Sequence, residues 1–277
     1  MKTAVIVAGV LRHCDVSSLS WQLPFEADFY LSTWDLTEYV YDDEFYPIDN
    51  ELANLKNIDF KLIHIENYKK FCQTYISYPG FEISRVFYLV NKIYEQIKKL
   101  NYDRIILIRS DTWLQLSKPS KLFDHMTLMN DYSVITSPNN EVDLNVLSSK
   151  EKLQTYFDSE ITKNGWIRFP DSNFIFTWSA FEEFANIWTQ TINSTSCPHT
   201  FLYKFFFLGD KITLSYSQEF FTGLNRAPLS AYISNNLDIN SKNLLEFGFS
   251  YEDEQKKKNP VKSVTHNKIR EYFKNNN

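Results

Sequence analysis

The chain has 277 residues, of which 43% are hydrophobic, 17% aromatic and 23% charged, and its formal net charge is −5. This composition excludes a disordered chain, because enough apolar side chain is present to build a hydrophobic core. The chain has only six glycines, and they form neither the G-x-G-x-x-G loop of dinucleotide-binding proteins nor the G-x-x-x-x-G-K loop of P-loop NTPases. The G-x-S-x-G and H-E-x-x-H patterns of two hydrolase classes are also absent.

The first half of the chain alternates strand and helix patterns. Thr3–Ala8 and Asp28–Thr33 predict two buried strands, with room for a helix over 12–25 between them. Phe60–Ile65 predicts a third strand, and the polar stretch over 42–57 before it is consistent with a loop or a short helix. This order predicts parallel strands joined by crossovers.

The clearest helix is predicted over 84–100, where apolar residues recur every three or four positions. Arg104–Ile108 then predicts another buried strand, which is followed by Arg109, Ser110 and Asp111. Strands that alternate with helices through short joints are typical of an α/β sheet with largely parallel order.

The second half has a different character. Trp178–Ile192 predicts a helix, and Tyr203–Leu208 and Lys211–Tyr216 predict a β-hairpin around Gly209-Asp210. The last 22 residues, 256–277, hold seven basic residues and one acidic residue, a local charge of +6. Such a tail fits a solvated terminal helix or a contact with a diphosphate, nucleic acid or an anionic membrane face.

The cysteines are odd in number and widely spaced, at Cys14, Cys72 and Cys197. They predict neither a disulfide framework nor a thiolate zinc site, so a reducing compartment is expected. The apolar start runs into Arg12 without a small-residue cleavage site, and we interpret it as a strand rather than a signal peptide. No run reaches the roughly 20 apolar residues of a membrane span, and we expect a soluble, cytoplasmic protein.

Candidate site residues follow the predicted strands, because ligands bind beyond the carboxyl ends of the strands in open α/β sheets. Gly9 would allow close approach of the backbone to a ligand. Arg12 and Arg109 would face phosphate oxygens, and Asp111 could hold a divalent metal ion through hard oxygen ligands. A surface ion pair of Arg109 with Asp111 is the plainer alternative.

Together, these segments resemble nucleotide-sugar glycosyltransferases of the GT-A type, above all the small capsule, lipopolysaccharide and phage-encoded members. The segments that carry the resemblance are Ala8-Gly9-Val10-Leu11-Arg12, Ser32-Thr33-Trp34-Asp35 and Arg109-Ser110-Asp111. The resemblance implies a single α/β domain over 1–277 with a GT-A-like, Rossmann-like mixed sheet. The sheet would be mainly parallel in the N-terminal half, with helices on both faces and an α+β C-terminal part.

The same resemblance assigns parts of the chain to the donor and the acceptor. Residues 1–115 would form the nucleotide-sugar-binding half, 116–255 the acceptor half and 256–277 a basic tail. The donor would contact five residues: Gly9, Arg12, Thr33, Trp34 and Arg109. Plainer alternatives are a surface role for Arg12 and a core position for Trp34.

The resemblance also implies a divalent metal ion, Mn²⁺ or Mg²⁺, held by Asp111 and His266. The family motif is commonly Asp-x-Asp, and in this sequence Arg109 occupies its first position. Asp171 and Glu219 are the candidates for the catalytic base, although Asp171 after a proline also fits a helix cap or a turn.

The implied function is transfer of a hexose or pentose from a nucleoside diphosphate sugar, such as a UDP-sugar, to a hydroxyl group. A surface glycan is the first choice of acceptor. A hydroxymethylated or glycosylated base in phage DNA is the second, in which case the protein would act in the host cytoplasm. The alternatives are a nucleotide- or glycan-binding module without turnover and, last, nucleotidyl transfer.

Overall fold

The computed structural model of the protein describes its secondary structure and burial in separate ranges. These are residues 1–12, 14, 18–21, 23, 25–38, 45–75, 85–110, 112–116, 119–136, 151–152, 155, 158–159, 173–191, 201–202, 205–206, 211–216 and 220–224. The strands are β1 Thr3–Gly9, β2 Asp28–Trp34, β3 Leu36–Glu38, β4 Phe45–Pro47, β5 Phe60–Glu66, β6 Arg104–Arg109, β7 Thr112–Leu116, β8 Ser133–Thr136, β9 Asn173–Thr177, β10 Thr213–Tyr216 and β11 Phe220–Leu224. The helices are α1 Asp49–Ala53, α2 Tyr68–Tyr75, α3 Arg85–Ile97, α4 Pro119–Thr127 and α5 Trp178–Thr191, with a 3-10 helix at Ser18–Trp21.

A seven-stranded sheet with the order β10-β8-β9-β6-β1-β2-β5 forms the centre of the fold. Strands β5, β2, β1 and β6 pair in parallel with one another in that order, and β8 pairs in parallel with β10. Strand β9 runs antiparallel to both β6 and β8. The predicted α/β fold with a mixed sheet that is mainly parallel in the N-terminal half is therefore confirmed.

Both faces of the sheet are buried. All seven residues of β1 are buried, and alternate side chains enter separate cores. On one face, Ile6 shares a core with residues of α3 and α5. On the other face, Val5 shares a core with Leu122 and Met126 of α4 and with Trp21 of the 3-10 helix. Helices cover both faces, as the sequence predicts, because a strand of β-branched and apolar residues without alternation must be buried on both sides.

The helix α3 forms where the apolar spacing predicts it and ends three residues earlier than the predicted boundary. Its buried side chains recur on one stripe against the sheet and α5. Beyond its last turn, Asn101 has a φ of 50°, a left-handed conformation that stops a helix and that asparagine tolerates better than most residues.

The predicted β-hairpin over 203–216 is wrong. Residues 205–206 are helical, and β10 pairs in parallel with β8, whereas the two strands of a hairpin are antiparallel. Four buried side chains explain the error, because they follow a helical spacing: Phe201, Leu202, Phe205 and Phe206. The aromatic residues that suggested a strand instead pack on α5, where the ring centroids of Phe201 and Phe184 are 4.9 Å apart.

The other elements of the first half also form largely as predicted. The polar stretch before β5 contains β4 and the short helix α1. Of the helix predicted over 12–25, the described residues show the 3-10 helix Ser18–Trp21. In the described ranges, no helix has both the length and the apolar character that crossing a bilayer requires.

Candidate active site

The order of the strands changes direction at β1. The chain builds β1, β2 and β5 towards one edge of the sheet and then returns to place β6 on the other side of β1. In open α/β sheets, ligands bind above the carboxyl ends of the strands at such a switch point, because the following loops diverge there and leave a crevice. The candidate site is therefore the edge where β1 ends at Gly9 and β6 ends at Arg109.

The three strand ends singled out in the sequence lie side by side. Ala8 of β1 pairs with Arg109 of β6, and Gly9 pairs with Thr33 of β2. Neighbouring strands in a sheet are about 4.8 Å apart, so these backbones are adjacent at one edge. Tertiary structure thus brings together three segments that are separated by 20 to 100 residues in the sequence.

Gly9 is required at its position for two reasons. Its φ is +130°, a conformation that side chains of L-residues rarely adopt. A Cβ atom built on Gly9 would also lie 2.8 Å from Oγ of Ser110, closer than Cβ contacts normally come. The space beside Gly9 is therefore filled by Ser110, and the glycine lets β1 and the turn after β6 approach each other.

Hydrogen bonds join the turn after β6 to the loop after β1. The backbone N–H of Ser110 donates to the carbonyl of Ala8 at 3.0 Å, and Oγ of Ser110 donates to the carbonyl of Val10 at 2.8 Å. Nε1 of Trp21, in the 3-10 helix, donates to the carbonyl of Thr112, the first residue of β7, at 3.1 Å. The ends of β1 and β6 therefore form one bonded unit.

Two arginines are buried at this edge. Arg12 is 2% exposed and Arg109 is 8% exposed. Burial of a guanidinium group is costly in free energy and is uncommon outside ion pairs and anion sites. Both arginines selected from the sequence therefore lie inside the protein and not on its outer surface.

The loop that carries Arg12 is anchored from two directions. The Thr37 hydroxyl donates to the carbonyl of Leu11, and the backbone N–H of Cys14 donates to Oε2 of Glu51 at 2.8 Å. Glu51 is 4% exposed, an unusual degree of burial for a carboxylate. Glu51 has no signal in the sequence, because it lies in a polar stretch with no motif and only the fold brings α1 to the loop after β1.

The end of β2 combines a core residue with a buried hydroxyl group. Trp34 is 1% exposed, and its ring stacks on Tyr88 at 5.8 Å and packs against Phe71 at 4.7 Å between centroids. Thr33 is fully buried, and its hydroxyl group has no hydrogen-bond partner. The ring packing places Trp34 in the core, but its Nε1, like the hydroxyl group of Thr33, is a buried polar atom without a hydrogen-bond partner among the described residues.

Asp35, the next residue, holds the start of α2. Its Oδ1 accepts from the backbone N–H of Tyr68 at 2.9 Å, and its Oδ2 accepts from Nδ2 of Asn67 at 2.7 Å. Carboxylates stabilise helix N-termini because the first backbone N–H groups have no partner within the helix. These contacts give Asp35 a structural role.

Four predicted site residues lie outside the described residues: Asp111, Asp171, Glu219 and His266. Their roles remain predictions. Among the described residues, no group of three or more His, Cys, Asp or Glu side chains could hold a metal ion.

No protein-family model matches the chain, and no curated protein matches its sequence. Among solved structures, it is similar to the galactosyltransferase LgtC in complex with donor and acceptor sugar analogs, with 15% identity, a TM-score of 0.41 and coverage of 78% of this chain and 73% of LgtC. An active-site mutant of LgtC matches with 15% identity and a TM-score of 0.41, covering 94% of this chain and 85% of the mutant. Mouse xyloside xylosyltransferase 1 in its apo form matches with 12% identity and a TM-score of 0.36, covering 73% of each chain.

These solved structures include glycosyltransferases, the class that the sequence motifs resemble. At these identities the similarity assigns no role to any residue of this chain. The case for a site depends on the geometry at the ends of β1 and β6.

Proposed function

We propose that the chain is a glycosyltransferase that transfers a sugar from a nucleoside diphosphate sugar to a hydroxyl acceptor. The observation that carries this proposal is the switch point, where the Gly9 turn is bonded to the turn after Arg109 and two arginines are buried. Breaking the bond between an anomeric carbon and a diphosphate builds negative charge on the leaving group. Preorganised guanidinium groups, which match phosphate oxygens in a fork geometry, stabilise that charge.

A divalent metal ion fits this site only in part. Arg109 is a cation and cannot serve as the first ligand of a metal motif, which leaves Asp111 as the nearest carboxylate in the sequence. Mn²⁺ and Mg²⁺ are commonly bound by one or two carboxylates together with substrate phosphates, so one carboxylate is compatible with such an ion. In our proposal Asp111 and His266 hold the metal ion, which when bound neutralises charge on the diphosphate. Arg12 and Arg109 provide the rest of the positive charge.

Residues 116–255 provide the acceptor side in this proposal. Asp171 is the first candidate for the base, because it precedes Asn173 by two residues and the Asn173 side chain accepts a hydrogen bond from the backbone of Arg109 at 2.9 Å. Glu219 is the second candidate. The base would have to lie within hydrogen-bond distance of the acceptor hydroxyl in an inverting reaction.

For the acceptor, we propose a surface glycan ahead of a modified base in phage DNA. Residues 1–255 carry a net charge of −11, which opposes tight binding to a polyanion. The basic tail over 256–277 favours the DNA alternative. Retention on DNA that is salt-sensitive and lost on deletion of residues 256–277 would favour the modified base.

The direct test is hydrolysis and binding of UDP-, GDP- and CMP-sugars, with hexoses and pentoses, in the presence of Mn²⁺ or Mg²⁺. We expect Asp111→Ala to lower turnover by about 10²-fold or more. The matched control is Asp103→Ala, at the opposite end of β6, where Oδ2 accepts from the backbone N–H of Lys2 at 2.6 Å. Equal effects of the two changes, or no binding of any sugar nucleotide, would contradict the proposal.

A non-catalytic binding module is the second candidate function, favoured by Arg109 in place of a metal-binding aspartate. Binding of a sugar nucleotide without product formation from any acceptor would support it.

A further inference from the structure

The side chain of Asn173 lies at the turn between β6 and β7. Asn173 is the first residue of β9 and is fully buried. Its Oδ1 accepts from the backbone N–H of Arg109 at 2.9 Å and from Oγ1 of Thr112 at 3.1 Å. The Thr112 hydroxyl also lies 2.7 Å from the carbonyl of Arg109. One amide oxygen thus connects Arg109, at the end of β6, with Thr112, at the start of β7.

The hydrogen bond from the N–H of Arg109 to the Asn173 side chain lies next to Ile108 and Asn173, the last residue pair between β6 and β9. Strand β9 pairs with β6 from Thr177 opposite Arg104 to Asn173 opposite Ile108. The next donor on β6 is the N–H of Arg109, which lies past the first residue of β9. The side-chain oxygen of Asn173 accepts this hydrogen bond in place of a backbone carbonyl.

We propose that Asn173 is a positioning residue that holds the turn from Arg109 to Thr112 in the geometry needed for donor binding. This inference rests on the proposed function. The turn includes Asp111, and Arg109 is one of the two buried arginines of the site. Because misplacement of a binding group by about 1 Å can lower a rate about 10²-fold, the fixation of this turn controls activity and not only stability.

The orientation of the Asn173 amide follows from its partners. An N–H group donates, so the atom that faces Arg109 must be the oxygen. Thr112 has a single hydroxyl proton, which its contacts with Asn173 and with the Arg109 carbonyl must share. Removal of the Asn173 or the Thr112 side chain therefore breaks a hydrogen bond that holds the turn.

The contact also joins the two proposed halves of the site. Ser110 and Gly9 tie the turn to β1, in the donor half, whereas Asn173 ties it to β9, in the proposed acceptor half. The turn thereby contacts both proposed halves of the site.

The experiment compares changes at the two ends of β9. Thr177 is the matched control, because its Oγ1 is likewise buried and contacts the backbone N and O of Ser133 at 3.1 and 3.3 Å, at the end of β9 away from the turn. We expect Asn173→Ala to lower kcat/KM for hydrolysis of the UDP-, GDP- or CMP-sugar that the wild-type protein uses by about 10- to 100-fold. Thr177→Val should lower the Tm by a similar amount and leave kcat/KM within about twofold.

A second pair of variants keeps the test decisive if Asn173→Ala does not fold. Thr112→Val removes the hydroxyl that bridges Asn173 and Arg109, and Thr112→Ser restores it. We expect the valine variant to lose kcat/KM in the same direction as Asn173→Ala and the serine variant to recover most of it.

The outcomes separate this inference from the proposed function. If the wild-type protein hydrolyses a sugar nucleotide but Asn173→Ala and Thr177→Val affect kcat/KM equally, the positioning role is wrong and the function stands. The same conclusion follows if Thr112→Val and Thr112→Ser have equal effects. If the wild-type protein hydrolyses no sugar nucleotide in the panel, both the function and this inference fail.

Discussion

The two ends of β6 carry similar side chains and use them differently. At the amino end, the Arg104 guanidinium donates to the carbonyls of Met126 at 2.7 Å and Met129 at 3.1 Å. Burial lowers the pKa of Arg104, and the nearby carboxylates of Asp103 and Asp131 oppose that change. Asp103 in turn accepts from the backbone N–H of Lys2. The charged groups of this end are therefore bonded to the protein itself.

At the carboxyl end, the protein leaves polar atoms unsatisfied. Within the described ranges, the buried hydroxyl groups of Ser32 and Thr33 and Nδ2 of Asn173 have no hydrogen-bond partner, whereas at the amino end only Oγ1 of Thr3 is in that state. A buried polar group without a partner costs about 1–3 kcal/mol. Most buried polar groups in proteins have a hydrogen-bond partner, so these groups at the carboxyl end are consistent with a ligand that would complete their hydrogen bonds.

Residue type alone therefore does not distinguish a structural arginine from a candidate site arginine. Arg104 and Arg109 belong to the same strand, Arg104 partly buried and Arg109 buried, yet only Arg109 lies at the switch point. The position of a strand end within the sheet separates a structural charge from a candidate site residue. Four predictions test this difference, in order of decreasing expected effect.

The largest effect concerns Trp34, which lies at the carboxyl edge but packs in the core. We expect Trp34→Ala to lower the free energy of unfolding by about 3–5 kcal/mol, because it leaves a cavity among Tyr88, Phe71 and Tyr68. Urea unfolding measures this loss. Trp34→Phe is the control and should keep most of the stability and the donor KM. A loss of donor binding without a loss of stability would place Trp34 in the site.

The second prediction compares the two arginines of β6 directly. We expect Arg109→Gln to lower kcat/KM for donor hydrolysis by about 10²-fold, because it removes a cation from the site proposed for the leaving diphosphate. Arg104→Gln should lower the Tm and leave kcat/KM within a few-fold. Steady-state kinetics with sugar nucleotides, alongside thermal unfolding, checks both. Similar kinetic losses in the two variants would remove the distinction between the ends of the strand.

The third prediction concerns the close contact between β1 and the turn. Gly9→Ala should lower the free energy of unfolding by about 1–3 kcal/mol, because alanine is strained at a φ of +130° and its Cβ would lie 2.8 Å from Oγ of Ser110. Adding Ser110→Ala relieves the contact but not the backbone strain, and the single variant Ser110→Ala measures the loss of the hydrogen bond from Oγ of Ser110 to the carbonyl of Val10. Urea unfolding of these variants separates the terms. No change in stability for Gly9→Ala would contradict the geometry of this turn.

The smallest effect is a pH dependence at the amino end. Burial, followed by hydrogen bonds to Tyr30 and Asp28, raises the pKa of Tyr102. A raised pKa means that the folded state favours the neutral phenol. The resulting stabilisation is complete below about pH 10, the pKa of an unfolded tyrosine, and decreases as the pH rises from there towards the higher pKa of the folded state.

Tyr102→Phe removes this contribution. We expect it to lower the free energy of unfolding by about 1 kcal/mol at neutral pH and to flatten the decrease above about pH 10. Urea unfolding over that range in both proteins measures the difference, and other tyrosines and lysines cancel in the comparison. An equally steep decrease in the variant would show that Tyr102 keeps an ordinary pKa in the folded state.

Much of the fold could be predicted because it depends on patterns local in the sequence. Runs such as Thr3–Gly9 and Arg104–Arg109 are apolar without alternation, which indicates strands buried on both faces, and the stripe of α3 has a helical period. The strand prediction is wrong at 205–206, because aromatic residues are common in strands, whereas the buried residues Phe201, Leu202, Phe205 and Phe206 follow a helical spacing.

The chain by itself determined which strand ends carry charged and small residues: Gly9, Arg12 and Arg109 stand directly after buried runs in the printed sequence. Only the tertiary structure decided what each of them contacts. The order of strands in the sheet places Gly9 against Ser110, Asn173 against Arg109 and Glu51 against the loop after β1. These contacts join residues 37 to 101 positions apart, and no local pattern encodes them, because pairing between distant strands depends on how the entire sheet assembles.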